Sequence, residues 1–349
     1  MTLPASQPFD AVLLVSFGGP QGLDDIRPFL QNVLRGRRIA PARIEEVAHH
    51  YEMFDGVSPL TAYTMDQAAG LRRDLEARGL HLPVYVGMRN WTPLLADVLQ
   101  QMKQDGVRRA IGVLAAAHRS YSSCTQYKQN VLQANEELFA SGGHRIDVTY
   151  VNDWHLHRGF IQAVADHVTA ARASLPEDVR DRARVVFTAH SIPSHMPGVD
   201  TYQRHLRESA EAVASKLALT DWALTYQSRS GRPEDPWLEP DVNDWLRVEA
   251  SQGLEAIIVS PLGFVCDHVE VLFDLDHEAR ATCEALGIAM ARAAAVNGHP
   301  AFIGAMGDAV SETVDRYRHG RPLPLVNADH PNARELPPPV RPRRSAGVA

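Results

Sequence analysis

Short runs of apolar residues alternate along this chain with longer stretches in which apolar positions recur at helical spacing. A continuous apolar run bounded by turn residues is typical of a strand that is buried on both faces of a parallel sheet. Such runs predict seven strands, at residues 11–17, 83–87, 110–116, 146–151, 184–188, 222–227 and 256–261.

Helical spacing predicts helices between these strands, at residues 64–78, 93–104, 124–140 and 158–175. Strands that alternate with helices are typical of α/β folds with parallel sheets. Four predicted strands precede the last of these helices and three or four follow it, so we predict two domains, at residues 8–168 and 169–325. Each domain is expected to be a Rossmann-like parallel sheet flanked by helices, with a cleft between the two.

Composition and charge narrow the class of protein. Of the 349 residues, 45% are apolar and 22% are charged, and the formal net charge is -7. This charge argues against a nucleic-acid-binding protein, which normally carries clustered basic residues. The three cysteines, Cys124, Cys266 and Cys283, form no close pair, so neither a disulfide framework nor a structural zinc site is predicted. This cysteine usage fits a reducing, cytoplasmic setting.

The two ends of the chain bear on whether a targeting signal or a disordered tail is present. Residues 1–10 lack the basic stretch and apolar core of a secretory signal, and the longest apolar run, at residues 256–266, is too short for a membrane helix. We therefore expect no membrane insertion. Residues 326–349 are rich in Pro and Arg and are predicted to be disordered. Their basic cluster at residues 341–344 is expected to be solvated, with contact to an anionic partner as the alternative.

Ligands of doubly wound sheets gather at the carboxyl ends of strands, so the residues just after the apolar runs are the candidates for a site. The turn from Phe17 through Gly18 and Gly19 to Pro20 is not a dinucleotide fingerprint, and its proline lacks an amide for a phosphate. We expect its glycines to let the backbone turn against a flat ligand or a neighbouring loop. His190 ends a later strand and is either a structural hydrogen-bonding residue or, since imidazole binds metals and accepts protons near neutral pH, a catalytic one.

An acidic segment follows the strand at residues 256–261. If the segment is helical, Glu270, Asp274 and Glu278 form one stripe at four-residue spacing. A solvated face is the plain interpretation of such a stripe. The stripe begins, however, among apolar residues at a strand end, where carboxylates are costly unless they are paired or bind a cation. Together with one imidazole, these oxygen ligands suit a labile divalent metal.

A long Pro-rich loop follows the strand at residues 222–227 and contains Trp237. Loops of this kind often form the wall of a binding cleft. Simple packing between domains explains the loop equally well.

Six segments resemble the ferrochelatase family, in the right order and spacing from about residue 11 to residue 305. They are LLVSFGGP, HYEMFDGVSPL, VGMRNWTP, FTAHSIP, YQSRSGRPEDPWLEPDV and PLGFVCDHVEVLFDLDHEA. Each segment alone is a weak signal, but six segments in register are specific. The resemblance implies the chelatase-type fold, with two Rossmann-like domains and a cleft between them.

The resemblance also implies roles for individual residues. It makes His190 and Glu270 the catalytic pair and the metal ligands at the centre of the macrocycle. Asp274 and Glu278 match an acidic ladder that holds or delivers a second cation. The substrate-binding set that it implies consists of Phe17, Arg35, Arg37, Tyr51, Ser58, Arg89 and Tyr127.

Three departures from the family pattern matter. Many soluble members have Tyr where this chain has Phe17, which cannot ligate the iron of the product. Members with an iron–sulfur cluster bind it through C-terminal cysteines, and this chain has no cysteine after Cys283, so we predict no cluster and no cofactor beyond the Fe2+ substrate. The basic stretch at residues 35–38 replaces the apolar lip of membrane-associated members, so membrane docking is expected to be weak or absent.

The resemblance predicts a lyase of haem biosynthesis that inserts Fe2+ into a porphyrin. Coproporphyrin III has four carboxylates and protoporphyrin IX has two, so the basic residues and the missing apolar lip favour coproporphyrin III, with protoporphyrin IX as the alternative. We expect His190 to accept a pyrrole proton while Glu270 binds Fe2+ or relays the proton. Which residue does which stays open from the sequence.

Rival functions are a cobalt or sirohydrochlorin chelatase of the same architecture and a non-catalytic haem or porphyrin carrier. The related chelatases lack the P-W-L-x-P-D loop, and turnover separates an enzyme from a carrier. The expected partners are the porphyrin, Fe2+ and a downstream enzyme of the haem pathway, with no nucleic acid. A monomer is expected, because no exposed heptad pattern or long apolar stripe stands out.

Overall fold

Two separate parallel sheets contain the strands of the computed structural model, which describes residues 8–36, 40–230 and 235–318. Contacts within the chain divide it into two units. The first unit contains the described residues within Met1–Ala115, Gln126–Val151 and Val310–Ala349, and the second contains those within Ala116–Thr125 and Asn152–Ala309.

The sheet of the first unit has four described strands. They are β1 (Ala11–Ser16), β2 (Val84–Met88), β3 (Arg109–Leu114) and β4 (Asp147–Tyr150). Their order is β2-β1-β3-β4 and all neighbours are parallel. Every residue of the central strand β1 is buried, which is why its sequence is a continuous apolar run rather than an alternating one.

The helices of the first unit surround this sheet. They are α1 (Ile26–Val33), α2 (Pro41–Glu52), α3 (Leu60–Ala77), α4 (Leu95–Gln104) and α5 (Gln126–Ala140), with a 3₁₀ turn at Leu23–Asp25. The helices α3 and α4 pack against β2, and α4 also packs against α5.

The second unit has the same arrangement of strands. They are β5 (Arg184–His190), β6 (Trp222–Gln227), β7 (Ala256–Ser260) and β8 (Ala289–Arg292). Their order is β6-β5-β7-β8, again all parallel. In local numbering both sheets therefore have the order 2-1-3-4.

The helices of the second unit include two stretches of π-helix. The α-helices are α6 (Arg158–Ala173), α7 (Glu177–Arg180), α8 (Val199–Lys216), α9 (Val242–Ser251), α10 (Val269–Val271), α11 (Arg280–Leu286) and α12 (Pro300–Tyr317), the last with residues in both units. The π-helices are Tyr121–Thr125 and Leu272–Ala279.

The predicted α/β class with two parallel sheets is confirmed. The seven predicted strands agree with β1 to β7 to within a few residues. The strand β8 has no counterpart among the apolar runs. It is a short edge strand that is only partly buried and ends at Arg292, so its sequence lacks the pattern of a buried strand.

The predicted domain boundary after residue 168 falls inside α6. In the structure, all of α6 belongs to the second unit, since it packs against β7 and β8. The second unit also takes Ala116–Thr125, and the first unit takes the end of α12. A single cut in the sequence cannot describe this exchange of segments.

Some predictions concern residues that are not described. Arg37, Arg38 and the predicted tail at residues 326–349 lie outside the described residues. Within the described part of the chain, none of the helices combines the length and the apolar content that a bilayer crossing requires.

Candidate active site

The carboxyl ends of β5, β6 and β7 bring together the titratable residues of the second unit. His190 is the last residue of β5 and lies opposite Gln227, the last residue of β6, in the parallel register. Ser260 ends β7 and lies opposite Phe187 of β5, so the chain that leaves β7 starts beside the end of β5. This edge is where ligands of doubly wound sheets bind.

Hydrogen bonding fixes the protonation of the His190 ring. The Nδ1 atom lies 2.5 Å from the carbonyl oxygen of Ser191. A carbonyl can only accept, so Nδ1 carries the proton and Nε2 of the neutral ring has a free lone pair. The Tyr202 hydroxyl donates to the His190 carbonyl at 3.1 Å and holds the end of the strand in place.

The His190 Nε2 atom lies near the Glu270 carboxylate. Nε2 and Oε2 of Glu270 are 3.7 Å apart, which is longer than a hydrogen bond. The two side chains are 31% and 39% exposed, so a ligand can reach both. A proton or a metal ion that enters this space would meet one imidazole nitrogen and one carboxylate oxygen.

A glycine permits the close approach of the chain after β7 to β5. The Gly263 amide donates to the Thr188 carbonyl at 2.9 Å. A Cβ atom at Gly263 would lie 2.5 Å from the Cβ atom of Ala189 and 2.7 Å from its Cα atom. No other residue fits there without a shift of the strand, so this glycine sets the separation between the acidic segment and His190.

Each acidic residue of the stripe is followed in the sequence by an apolar residue, and these apolar residues anchor the segment. Val271, Leu275, Ala279 and Cys283 are buried in the core of the second sheet. Their four-residue spacing leaves Glu270, Asp274 and Glu278 on the side away from that core. This is the stripe that the sequence predicted, with one difference: after α10 the segment is a π-helix, in which backbone bonds span five residues and the turns are wider.

Asp274 lies in the middle of the stripe and is largely enclosed. The Ser228 hydroxyl donates a short hydrogen bond to its Oδ2 atom, and the Gln227 amide donates to the same atom at 3.3 Å. Burial, together with the negative charges of Glu270 and Glu278, raises the pKa of Asp274 to about 7. This carboxyl therefore exchanges a proton near neutral pH.

A buried ion pair fixes the start of the acidic segment. Asp267 accepts a hydrogen bond from Arg292 at 2.8 Å, and Arg292 also donates to Asp276. Asn297 donates to the second oxygen of Asp267 at 2.8 Å. Asp267 and Asp276 lie on either side of Glu270 in the sequence, and both bind Arg292 at the end of β8. This network therefore positions the segment that carries Glu270.

The Pro-rich loop after β6 braces the turn that follows His190. The Leu238 amide donates to the Ile192 carbonyl at 3.0 Å, and the Ser191 hydroxyl donates to the Leu238 carbonyl at 2.9 Å. A bridge between Pro193 and Trp237 continues the pairing. The loop thus packs within the second unit and keeps the Ser191 carbonyl where it accepts from His190.

The substrate-binding set predicted from the resemblance lies in the first unit, apart from Arg37, which is outside the described residues. The Arg89 guanidinium lies 5.7 Å from the ring centre of Phe17 and 5.6 Å from that of Tyr127. Arg35 donates to the Arg89 carbonyl at 3.4 Å, and burial lowers the pKa of its guanidinium. Two cations and two aromatic rings therefore form one cluster.

The rest of the predicted set supports this cluster. Phe17 packs edge-on against Phe29, which packs edge-on against Tyr51. Ser58 is buried, and its Cβ atom would lie 2.6 Å from a Cβ atom at Gly19. The glycine turn therefore packs against a neighbouring loop, which is one of the two possibilities that the sequence left open.

Sequence reasoning missed several contacts in the second unit that shape the site, although Gln227 and Ser228 lie in one of the segments that resemble the family. Ser228 and Gln227 hold Asp274, and Arg292 holds the start of the acidic segment. Ser228 has a φ of 63°, an uncommon conformation for a residue with a side chain. No local pattern predicts these contacts, since the partners are 25 to 47 positions apart along the chain.

The comparisons with known sequences agree with one another. The family model described as Ferrochelatase matches residues 9–314. A protein named Ferrochelatase from Rhodopirellula baltica is 46% identical over 297 residues, which are 85% of this chain and 84% of that protein. A protein named Coproporphyrin III ferrochelatase from Mycolicibacterium smegmatis is 42% identical over 326 residues, which are 93% of this chain and 94% of that protein.

A solved structure shares the fold. SirB from Bacillus subtilis with Fe3+ superposes with a TM-score of 0.53 at 11% identity and covers 88% of this chain and 96% of its own. At this identity the likeness concerns the fold alone. It supports the chelatase-type architecture of two units that each contain a parallel sheet.

Proposed function

Because this chain belongs to the ferrochelatase family, we propose that it is a metal-inserting lyase that places Fe2+ in coproporphyrin III and yields Fe-coproporphyrin III. The reaction is a step of haem biosynthesis. It exchanges two pyrrole protons for one Fe2+ ion and changes no oxidation state. The observation that carries the proposal is the 3.7 Å separation between Nε2 of His190, at the end of β5, and the Glu270 carboxylate, both on partly exposed side chains.

The choice of porphyrin is supported by the relatives and by charge. Relatives from Mycolicibacterium smegmatis and Streptomyces coelicolor, both 42% identical, are named for coproporphyrin III. Four carboxylates on the ligand also suit the paired cations Arg35 and Arg89 of the first unit. The relative from Rhodopirellula baltica is named only as a ferrochelatase, so protoporphyrin IX is the alternative that the experiment must separate.

His190 accepts a pyrrole proton in the proposed mechanism. Its Nδ1 proton is held by the Ser191 carbonyl, so Nε2 is the basic nitrogen, on a side chain that is partly exposed. Histidine has an ordinary pKa near neutrality, which suits transfer in both directions. After protonation the ring carries a positive charge, and Glu270, whose Oε2 atom is 3.7 Å from Nε2, stabilises it.

Glu270, Asp274 and Glu278 move the protons away and attract the cation. Asp274 has a pKa of about 7, so it can accept a proton near neutral pH and release it again. Glu278 is exposed at the far end of the stripe and leads to solvent. Carboxyl groups on one side of a helix also raise the local concentration of a divalent cation when they are ionised, which fits a second cation on this ladder.

The first unit holds the periphery of the porphyrin. We assign Arg35 and Arg89 to its carboxylates, with Ser58 and Tyr127 as hydrogen-bonding groups and Phe17 as an apolar contact. Binding energy from these remote groups can stabilise a distorted ring that exposes its nitrogens. Phe17 has no atom that can ligate iron, so an axial ligand to the product would come from another residue.

We propose that the enzyme needs no iron–sulfur cluster, because its sequence has only the three widely spaced cysteines Cys124, Cys266 and Cys283. We propose that it works as a monomer in the cytoplasm and passes its product to a downstream enzyme of the haem pathway. The low cysteine content supports the reducing compartment.

An anaerobic insertion assay tests the function. Fe2+ would be mixed with coproporphyrin III or protoporphyrin IX, and the loss of free-porphyrin fluorescence followed with wild type and His190→Ala. We expect fast loss with coproporphyrin III and at least a ~100-fold lower rate in His190→Ala, which still binds the porphyrin.

Each of the other outcomes of this assay would overturn a different part of the proposal. A preference for protoporphyrin IX keeps the enzyme class and overturns the role given to the basic residues. Insertion by wild type no faster than the enzyme-free control, with tight binding of iron porphyrin, would identify a carrier instead. Full activity of His190→Ala would remove His190 from the mechanism.

A further inference from the structure

A second group of ligand-type side chains lies in the second unit and has no part in the proposed reaction. His155 stands shortly before α6, and His205 and Glu208 lie one turn apart on α8. One potential ligand atom from each residue lies within 4.8 Å of the other two. On a helix, positions i and i+3 present their side chains to the same neighbour, so α8 offers an imidazole and a carboxylate to His155 together.

The three side chains are already in contact. Nε2 of His155 lies 2.7 Å from Oε2 of Glu208, and the rings of His155 and His205 stack with their centres 3.7 Å apart and their planes 6° apart. A divalent first-row ion binds imidazole nitrogen and carboxylate oxygen at about 2.0–2.2 Å, which places its ligand atoms about 3–4 Å from one another. The present spacing of the ligand atoms is therefore close to that around a bound ion, and the side chains must turn to admit one.

The two imidazoles are buried, and one of them has a nitrogen without a partner. His155 is 8% exposed and His205 is 3% exposed. Nδ1 of His155 has no hydrogen-bond partner among the described residues, and its other nitrogen meets only Glu208. A buried polar atom without a partner costs about 1–3 kcal/mol.

A third imidazole lies beside the other two, with the ring centre of His118 6.4 Å from that of His155. The Ser209 hydroxyl donates to the His155 carbonyl at 2.9 Å, so it accepts from Nε2 of His118 at 3.0 Å. Nδ1 of His118 is thus a second buried lone pair without a partner among the described residues. A divalent cation is attracted to imidazole lone pairs and to the Glu208 carboxylate.

The site is partly open to solvent, and its set of ligands is one that occurs in metalloproteins. The Glu208 side chain is 32% exposed, so a water molecule can complete the coordination shell. Two imidazoles and one carboxylate form a ligand set that binds Zn2+ and Fe2+ in proteins. The remaining contacts are weak: Arg204 donates to the other oxygen of Glu208 at 3.3 Å, and the Arg119 amide donates to His205 Nδ1 at 3.4 Å.

We propose that His155, His205 and Glu208 bind one divalent first-row transition-metal ion, at a site that is separate from His190 and Glu270. The stacked rings have nearly parallel planes, and one ion cannot lie in both. Binding therefore turns one imidazole about its χ2 angle and breaks the stack. The proposal is independent of the enzymatic function, since it rests on none of the residues assigned to the reaction.

Co2+ is the probe, because its visible absorption reports the number and type of its ligands. Equilibrium dialysis and absorption spectra would be recorded for the full chain and for Glu208→Gln. The matched control is Glu211→Gln, since Glu211 is exposed on the same helix one turn further on. The double variant His190→Ala/Glu270→Gln removes the candidate active site and should retain the signal.

We expect wild type, Glu211→Gln and the double variant to share a Co2+ spectrum of low coordination number, and Glu208→Gln to bind one Co2+ ion fewer. Saturating Co2+ should also raise the melting temperature of wild type more than that of Glu208→Gln. The metal-free melting curve shows whether Glu208→Gln folds, and His205→Asn provides a second variant. The proposal is overturned if wild type shows no such spectrum, or if folded Glu208→Gln and His205→Asn bind Co2+ as wild type does.

Discussion

The two sheets have the same strand order but carry different chemistry at their carboxyl ends. The central strand β1 of the first sheet ends at Ser16 and is followed by the apolar and glycine-rich turn that begins at Phe17, whereas β5 of the second ends in His190. The first unit places guanidinium groups and aromatic rings near its turn, and the second unit places an imidazole and carboxylates. Topology therefore selects the edge at which a ligand binds, and the side chains at that edge select what is bound.

The segments that follow the third strand of each sheet also differ in charge. A π-helix follows β3 at Tyr121–Thr125, and another follows β7 at Leu272–Ala279. The first contains only neutral residues, and the second contains Asp274, Asp276 and Glu278. We infer that the first half serves to bind a large anionic ligand and the second half to handle a cation and protons.

Equal steric changes in the two halves should give unequal kinetic results. Gly263→Ala places a Cβ atom 2.5 Å from that of Ala189, next to His190, and Gly19→Ala places one 2.6 Å from that of Ser58. Each should cost about 1–3 kcal/mol of stability. Since a displacement of about 1 Å at a reacting group costs about 100-fold in rate, Gly263→Ala should lower kcat by about that factor.

Gly19→Ala should instead raise KM for coproporphyrin III and leave kcat nearly unchanged, because Ser58 is assigned to substrate binding. Gly298→Ala is the control, since its Cβ atom would meet no atom within 4 Å. Steady-state kinetics and thermal melts of the three variants provide the data. A loss of kcat in Gly19→Ala equal to that in Gly263→Ala would contradict the division of labour between the halves.

Removal of a cation from the first unit should weaken substrate binding more than it slows the chemistry. Arg89→Met keeps the packing on Phe17 and Tyr127 but removes the charge. A charged hydrogen bond contributes about 1.5–3 kcal/mol, so we expect KM for coproporphyrin III to rise by about 10- to 100-fold. Arg73→Met, at an exposed position of α3, is the control. The assignment of Arg89 fails if kcat falls and KM stays constant.

The carboxyl of Asp274 should make stability depend on pH in a way that no exposed aspartate does. Its pKa is raised from 3.8 to about 7, so between these values the folded state holds a proton that the unfolded state has lost. The unfolding free energy of wild type therefore falls as pH rises through this window. Asp274→Asn lacks this proton, so it should gain about 4 kcal/mol relative to wild type between pH 4 and pH 8.

Denaturant unfolding of wild type and Asp274→Asn at several pH values measures this gain. Asp66→Asn, an exposed carboxylate of the first unit, should show no such trend. A constant difference between wild type and Asp274→Asn across the whole range would mean that Asp274 has an ordinary pKa in the folded protein.

Much of the fold and part of the candidate site were accessible from the sequence. Buried parallel strands are continuous apolar runs, so β1 to β7 were visible, and the four-residue spacing of Glu270, Asp274 and Glu278 indicated one acidic face. The short edge strand β8 and the support of Asp274 by Ser228 were not accessible, because they depend on partners far away along the chain. His205 and Glu208 at i and i+3 were a visible signal, but His155 joins them only in the folded protein.

By itself, the sequence determined the fold class, the position of the candidate residues at strand ends and the family. These features depend on local hydrophobic period and on motifs that are contiguous in the chain. Only the tertiary structure decided which nitrogen of His190 is basic, why Asp274 retains its proton near neutral pH, and where a third ligand meets α8. Protonation states and metal sites depend on burial and on distances of a few ångströms between residues that are remote in sequence.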